Sequence, residues 1–315
     1  MTAAPAGAPS IGRAAVAALA AAGALVVGGC APAPVARDAA PPADVAVAPA
    51  ATARPRTAAA PLDATAGAVL PLHLAAGADV ERRLAEVVAV YPHDPAAFTQ
   101  GLLLADDDTL IESTGLYGQS SLREVELASG RVLRRLELPP DLFAEGVALV
   151  GERLWQLTWR EQLALQYDAA EWRMVDSVRY EGEGWGLCHD GRRLVMSDGS
   201  SRLTFRDPET FAVVGGVNVR LGGAGVEVAG LNELECVSGA VYANVWQTDE
   251  IVRIDAATGA VEALVDASGL LTARERAAAD VLNGIAYRAA GNTFLVTGKL
   301  WPWLFEVRFV VRDGG

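Results

Sequence analysis

The sequence has 315 residues, 51% of them apolar, and a net charge of −13 from 26 Lys and Arg against 39 Asp and Glu. That length accommodates two average domains or one large all-β domain, and the apolar share is ample for a sizeable core. The charge balance argues against nucleic acid as a partner, because phosphate binding needs clustered cations and no basic run of five or more occurs.

The N-terminus reads as an export signal. Arg13 precedes an unbroken run of Ala, Gly, Leu and Val from Ala14 to Val27, about fourteen residues long. Such a run is too short to cross a bilayer as a helix but suits the apolar region of a signal peptide. It ends in Val27-Gly28-Gly29-Cys30, which resembles a bacterial lipobox, with Cys30 lipidated as the mature N-terminus. An ordinary signal peptide with a nearby Cys is the alternative. Both place the mature protein outside the cytoplasm, and the lipid would add a membrane anchor, periplasmic or on the outer membrane. Residues 31–78 are rich in Ala and Pro without a period of 2 or 3.6, which predicts a disordered tether. The folded domain is then 79–315. Its Cys188 and Cys236 lie in apolar strands, where free Cys serves as a small hydrophobe. Pairing in an oxidising compartment stays open, since it requires the Cβ vectors to agree.

An internal repeat organises the domain. Phe98-Thr-Gln-Gly-Leu102, Phe143-Ala-Glu-Gly-Val147, Glu183-Gly-Trp-Gly-Leu187, Leu231-Asn-Glu-Leu234 and Leu282-Asn-Gly-Ile285 align on Gln100, Glu145, Trp185, Asn232 and Asn283, spaced 45, 40, 47 and 51 residues apart. These spacings match one four-stranded propeller blade. After each segment come an apolar strand, a turn and a second strand, at Thr109–Ser113, Arg153–Trp159, Arg192–Ser197, Ala240–Trp246 and Thr293–Thr297. Alternating third strands such as Ser121–Leu127 and Ile251–Asp255 follow. Fourth strands are expected at Val132–Leu138, Met174–Tyr180, Ala212–Val219 and Val261–Val265. The last repeat ends with its third strand, Leu304–Val311, so Ala85–Tyr91 is the expected fourth, closing the ring and removing exposed edges. The expected fold is thus an all-β, five-bladed propeller of four-stranded antiparallel blades, the last completed by an N-terminal strand. A helical insertion is expected at Leu270–Ala279, with Thr272 as its cap.

First strands line a propeller axis, so the five aligned side chains should converge at one mouth of the channel. Any single Gln or Asn there is equally well explained by bonds to backbone groups and channel water. Glu145, flanked by Phe143, Ala144 and Gly146, has no cation beside it in sequence. Desolvation would raise its pKa and suit it to proton transfer near neutral pH. Trp159, Trp246 and Lys299 end second strands and should face the same mouth, forming a small apolar pocket with a few polar groups. His73, His93 and His189 lack metal-ligand spacing, and no nucleophile elbow or phosphate-binding glycine loop occurs. His93, in the turn Tyr91-Pro-His-Asp-Pro95, is placed outside the site.

Several stretches in order resemble the plant-type glutaminyl-peptide cyclotransferases (glutamine cyclotransferases), a family that also occurs in bacteria. They are Tyr91-Pro-His-Asp-Pro-Ala-Ala-Phe-Thr-Gln-Gly-Leu102, Glu112-Ser-Thr-Gly-Leu-Tyr-Gly118, Phe143-Ala-Glu-Gly-Val147, Glu183-Gly-Trp-Gly-Leu187, Ser197-Asp-Gly-Ser200, Leu231-Asn-Glu-Leu-Glu235, Ala243-Asn-Val-Trp-Gln-Thr-Asp249, Leu282-Asn-Gly-Ile285 and Val296-Thr-Gly-Lys-Leu-Trp-Pro302. The resemblance spans Val87 to Phe309 and implies a five-bladed propeller that converts N-terminal glutamine of peptides and proteins to pyroglutamate with release of ammonia, without a metal or other cofactor. It implies Glu145 as acid and base, with Phe98, Gln100, Phe143, Trp159, Trp185, Asn232, Trp246 and Lys299 forming the substrate site. Ala144 departs from the usual Gly. Two other readings are a propeller lactonase holding a divalent cation on Glu145, Asn232 and Asn283, and a non-catalytic peptide-binding propeller.

Overall fold

A computed structural model describes residues 72, 77, 80–222 and 225–312, all within the compact unit Ala64–Gly315. The signal peptide, Cys30 and nearly all of the expected tether lie outside the described residues. Among the described residues no helix is long and apolar enough to cross a membrane.

The domain is all-β and propeller-like, built from four-stranded antiparallel units. The first contains β1's neighbours in sequence, strands β2–β5 (Thr99–Asp106, Thr109–Thr114, Ser121–Glu126, Arg131–Glu137), where β1 is Glu81–Pro92. The second is β6–β9 (Ala144–Val150, Arg153–Thr158, Leu163–Asp168, Met174–Arg179), and the third β10–β13 (Leu187–His189, Leu194–Met196, Arg202–Arg206, Val213–Asn218). A short hairpin, β14 and β15 (Arg220–Leu221, Val226–Glu227), leads to β16–β19 (Leu231–Val237, Ala240–Val245, Glu250–Asp255, Ala260–Asp266). Last come β20–β22 (Leu282–Arg288, Thr293–Gly298, Trp303–Val311).

Strand β1 supplies the missing fourth member of the last unit, running antiparallel to β22 from Arg83↔Val311 to Pro92↔Trp303. Its first four residues also run parallel to β19, from Glu81↔Ala263 to Leu84↔Asp266. This second pairing joins two units into one ten-stranded sheet, which the repeat does not foreshadow. The chain's N-terminal strand thereby covers two edges at once.

In every unit but the fourth, where β1 covers the outer strand, burial falls outward. The first strand β6 is buried along most of its length, whereas β9 is exposed or half-buried throughout. The reason is packing: inner strands touch neighbouring units on both faces. Contacts run from β20 to β2, β6, β10, β16 and back to β20. Five apolar clusters among the described residues fill the seams between consecutive units. Leu154, Leu194, Val241 and Leu295 are among their fully buried members.

Glycines in the repeat permit the close approach of the inner strands. A Cβ on Gly146 would sit 2.5 Å from the Leu187 nitrogen, and one on Gly186 would sit 2.1 Å from the Asn232 carbonyl oxygen. The fourth repeat has Glu233 at that position instead. Its carboxylate is fully buried and accepts the backbone N–H groups of Leu102 (3.2 Å) and Ile285 (2.7 Å), tying β16 to β2 and β20.

Cys188 and Cys236 are disulfide-bonded, with Cα atoms 5.6 Å apart, across the seam between the third and fourth units. Their reading as separate small hydrophobes is thereby replaced: β10 and β16 pack side by side and bring the two Cβ atoms together. The helix is shorter than its sequence composition suggests. It is α1, Ala273–Arg276, held by a capping box between Thr272 and Glu275. Leu72, within the stretch read as tether, is buried against Val80 and the fourth unit, and its N–H donates to Glu250 at 2.7 Å.

Candidate active site

Four of the five aligned residues are the second residue of an inner strand: Gln100 on β2, Glu145 on β6, Asn232 on β16 and Asn283 on β20. Each of these four is buried. Trp185 instead lies on the loop just ahead of β10, half-buried.

A directed hydrogen-bond chain ends on the carboxylate. Asn283 Nδ2 donates to the Thr99 carbonyl (2.9 Å) and to Gln100 Oε1 (3.2 Å). Because a backbone carbonyl only accepts, it fixes which end of the Asn283 amide carries nitrogen, and that fixes Gln100 in turn. Gln100 therefore presents its Nε2 to Glu145 Oε1, at 3.2 Å. From the other side, Ser113 Oγ donates to the Glu145 carbonyl at 2.5 Å. Asn232 Oδ1 and Asn283 Oδ1 are buried without a partner in the protein.

Burial pushes the Glu145 carboxyl well above the ordinary carboxylate range. The Lys299 ammonium opposes that shift, and the charges of Glu183 and Glu161 add to it. Burial lowers the Lys299 ammonium, against the attraction of Glu145 and Asp280. Further along β16, burial also raises Glu233, and it holds Glu235 up to about 8, where the carboxylate accepts the Tyr287 N–H.

Aromatic rings wall the mouth in two arcs. Lys299 Nζ lies 4.8 Å over the Phe98 ring, Phe98 meets Phe143 edge-on at 6.3 Å, and Phe143 meets Trp159 at 5.4 Å. The second arc is Trp185 against Trp246, at 5.6 Å and nearly perpendicular. The loops carrying Trp246 and Lys299 turn on Gln247 and Leu300, both with positive φ (64° and 60°). Leu300 N then donates to the Ala97 carbonyl at 2.7 Å, which pins Lys299 beside Phe98. The bonds and ring contacts thus gather Phe98, Gln100, Phe143, Glu145, Trp159 and Lys299 on one side, and Trp185 and Trp246 on the other.

Three polar residues of the mouth escape sequence reasoning. Tyr117 packs on Phe143 at 5.3 Å and donates its hydroxyl to Glu161 at 2.8 Å. Glu183 accepts from both Trp159 and Trp185. Nothing in composition or spacing marks Tyr117 or Glu161. Glu183 stands two residues before the aligned centre of the third segment, where the other four have Phe98, Phe143, Gly230 and Val281.

His93 is not in the mouth but supports it. Its Nδ1 lies 2.7 Å from the Trp301 carbonyl and its Nε2 3.1 Å from Glu112. Glu112 also takes Arg123 Nη2 at 2.5 Å and Thr99 Oγ1 at 2.7 Å. This buried cluster joins the segments that carry Phe98, Gln100 and Lys299. Among the described residues no group of three or more His, Cys, Asp and Glu is arranged to hold a metal ion.

The recessed Glu145 carboxyl, oriented by Gln100, and the aromatic rings around it stand at the mouth of a propeller-like domain. The sequence profile of the glutamine cyclotransferase family matches residues 59–309, and the chain belongs to that family. It is similar to a glutaminyl-peptide cyclotransferase of Arabidopsis thaliana, 45% identical over 228 residues that cover 71% of this chain and 70% of the relative. It is similar also to the crystal structure of Myxococcus xanthus glutaminyl cyclase, with 44% identity and a TM-score of 0.67 over 74% of this chain and 100% of the other.

Proposed function

We propose that the chain is a glutaminyl-peptide cyclotransferase built as a five-bladed β-propeller, with Glu145 as general acid and base. The observation that carries the mechanism is the buried Glu145 carboxyl, aimed by Gln100 and facing Lys299 inside an aromatic wall.

In the reaction the substrate's α-amine nitrogen attacks the side-chain Cδ of its own glutamine. A C–N bond forms, the Cδ–NH2 bond breaks, and one proton moves from the attacking amine to the leaving nitrogen. Glu145 accepts that proton and returns it. Burial raises its pKa well above the ordinary carboxylate range, which makes it a stronger base than an exposed Glu. The Lys299 ammonium and the Asn232 carboxamide supply donors to the amide oxygen as it gains charge. Trp159, Trp185 and Trp246 pack on the aliphatic part of the glutamine and keep water out. Gln100 and Asn283 hold the carboxyl's direction. The test is incubation with a Gln-leading dipeptide, with loss of ammonia followed by mass. Turnover by wild type and its loss in Glu145→Gln are expected. Equal turnover by the two proteins would remove Glu145 from this role.

For location, the reading is an exported protein held to a membrane by lipid on Cys30. It is supported by the Ala14 to Val27 run, the small residues before Cys30 and the Ala/Pro stretch that follows. Membrane fractionation of Cys30→Ser tests it. Release of the variant into the soluble fraction is expected, and an unchanged membrane fraction counts against the anchor.

A further inference from the structure

The two aromatic arcs are not joined by any ring contact between Trp159 and Trp185 among the described residues. Glu183 joins them. One of its oxygens, Oε2, accepts the indole N–H of Trp159 at 2.7 Å and that of Trp185 at 3.1 Å. The other, Oε1, accepts Arg160 Nε at 3.0 Å, and the Arg160 guanidinium lies 3.8 Å over the Trp159 ring. Trp159 and Arg160 follow β7 of the second unit, while Glu183 and Trp185 precede β10 of the third. A carboxylate bound this way sets the separation and tilt of two indoles that belong to different sheets.

Three N–H donors engage both oxygens: two indoles share Oε2, and Arg160 takes Oε1. Its work lies in what it holds. Cyclisation requires a compact, folded-back glutamine with the amine close to Cδ, and small misplacement of the walls that enforce such a conformer costs rate steeply. We propose that Glu183 is a positioning residue for the cyclisation, clamping Trp159 and Trp185 into one continuous wall. The proposal rests on the cyclotransferase reading above. Its negative charge has a second, separable effect: it adds to the rise of the Glu145 pKa.

Two substitutions separate reach from charge. Glu183→Asp keeps the charge but is one methylene too short to meet both indoles. Glu183→Gln keeps an oxygen at full reach and removes the charge. Both are compared with wild type for thermal melting, acrylamide quenching of tryptophan fluorescence, and kcat/KM for a Gln-leading dipeptide across pH. For folded Glu183→Asp, kcat/KM is expected to fall about tenfold or more. Its quenching should rise, with the acid limb of the pH profile unmoved. Glu183→Gln should stay within about threefold at its plateau, with quenching unchanged and the acid limb displaced to lower pH. Wild-type kcat/KM and quenching in Glu183→Asp overturn the proposal, and so does a loss in Glu183→Gln as large as that in Glu183→Asp. A wild type that releases no ammonia from any Gln-leading peptide sinks the cyclotransferase reading instead. The quenching comparison still tests the clamp in that case.

Discussion

Gln100 donates its side-chain N–H to Glu145 across 3.2 Å, and the two residues come from neighbouring inner strands 45 positions apart. The bond has a definite sense because Asn283, itself anchored on the Thr99 carbonyl, occupies the oxygen end of the Gln100 amide. The carboxylate is thus oriented by a relay that begins at a backbone group.

That relay predicts a graded loss. Asn283→Ala frees the Gln100 amide to rotate, and kcat is expected to fall by about 10- to 100-fold, within the range for a misdirected acid–base group. Gln100→Leu removes the donor entirely and should cost at least as much. If Gln100 acts only through orientation of Glu145, the double variant loses no more than Gln100→Leu alone. Steady-state kinetics on the three proteins decide this.

The pH profile follows from burial. Glu145 must release a proton to act as base, and desolvation holds its pKa well above 4.5. The rate kcat/KM should therefore rise with pH through an acid limb clearly above the ordinary carboxylate range. A limb at the ordinary Glu value in a stopped assay would show that Glu145 is not the titrating base.

Acid stability should be governed by the cluster beneath the mouth. Burial raises the Glu112 pKa, but His93, Arg123 and Thr99 outweigh it and leave the group at about 2. The folded pKa lies below the unfolded one, so the unfolded chain binds more protons between about pH 4.5 and 2, and stability falls as pH drops through that window. The full contribution is about 3 kcal/mol. Glu112→Gln should flatten the loss of stability across this window while costing about 3–5 kcal/mol at neutral pH, because Arg123 is left buried with one fewer partner. Denaturant melts at several pH values measure both effects.

The disulfide should matter for folding rather than catalysis. Cys188 and Cys236 are 48 residues apart, a loop whose closure in the unfolded chain corresponds to about 4 kcal/mol. Cys236→Ser is expected to lower the melting temperature while leaving kcat/KM within about twofold, since the bond lies several residues along the strands from Glu145. A large loss of kcat/KM in folded protein would contradict that separation.

Sequence alone reached the strands and the closing role of the N-terminal strand, for a local reason. Four of the five repeats place a polar residue second on an inner strand, and the Gly after Gln100, Glu145 and Trp185 marks where two backbones pass in contact. Glu233 stands where the other four segments have Gly, and only the packed sheets show that it binds the Leu102 and Ile285 N–H groups. Tertiary structure decided the rest. The clamp by Glu183, the tie of His93 to Glu112 and Trp301, the pairing of Cys188 with Cys236 and the double pairing of β1 all join residues whose proximity depends on how one sheet packs against the next. A repeat fixes what each unit contributes. Only the packing of units decides which contributions meet, and so which of five equivalent positions becomes a buried acid and which its support.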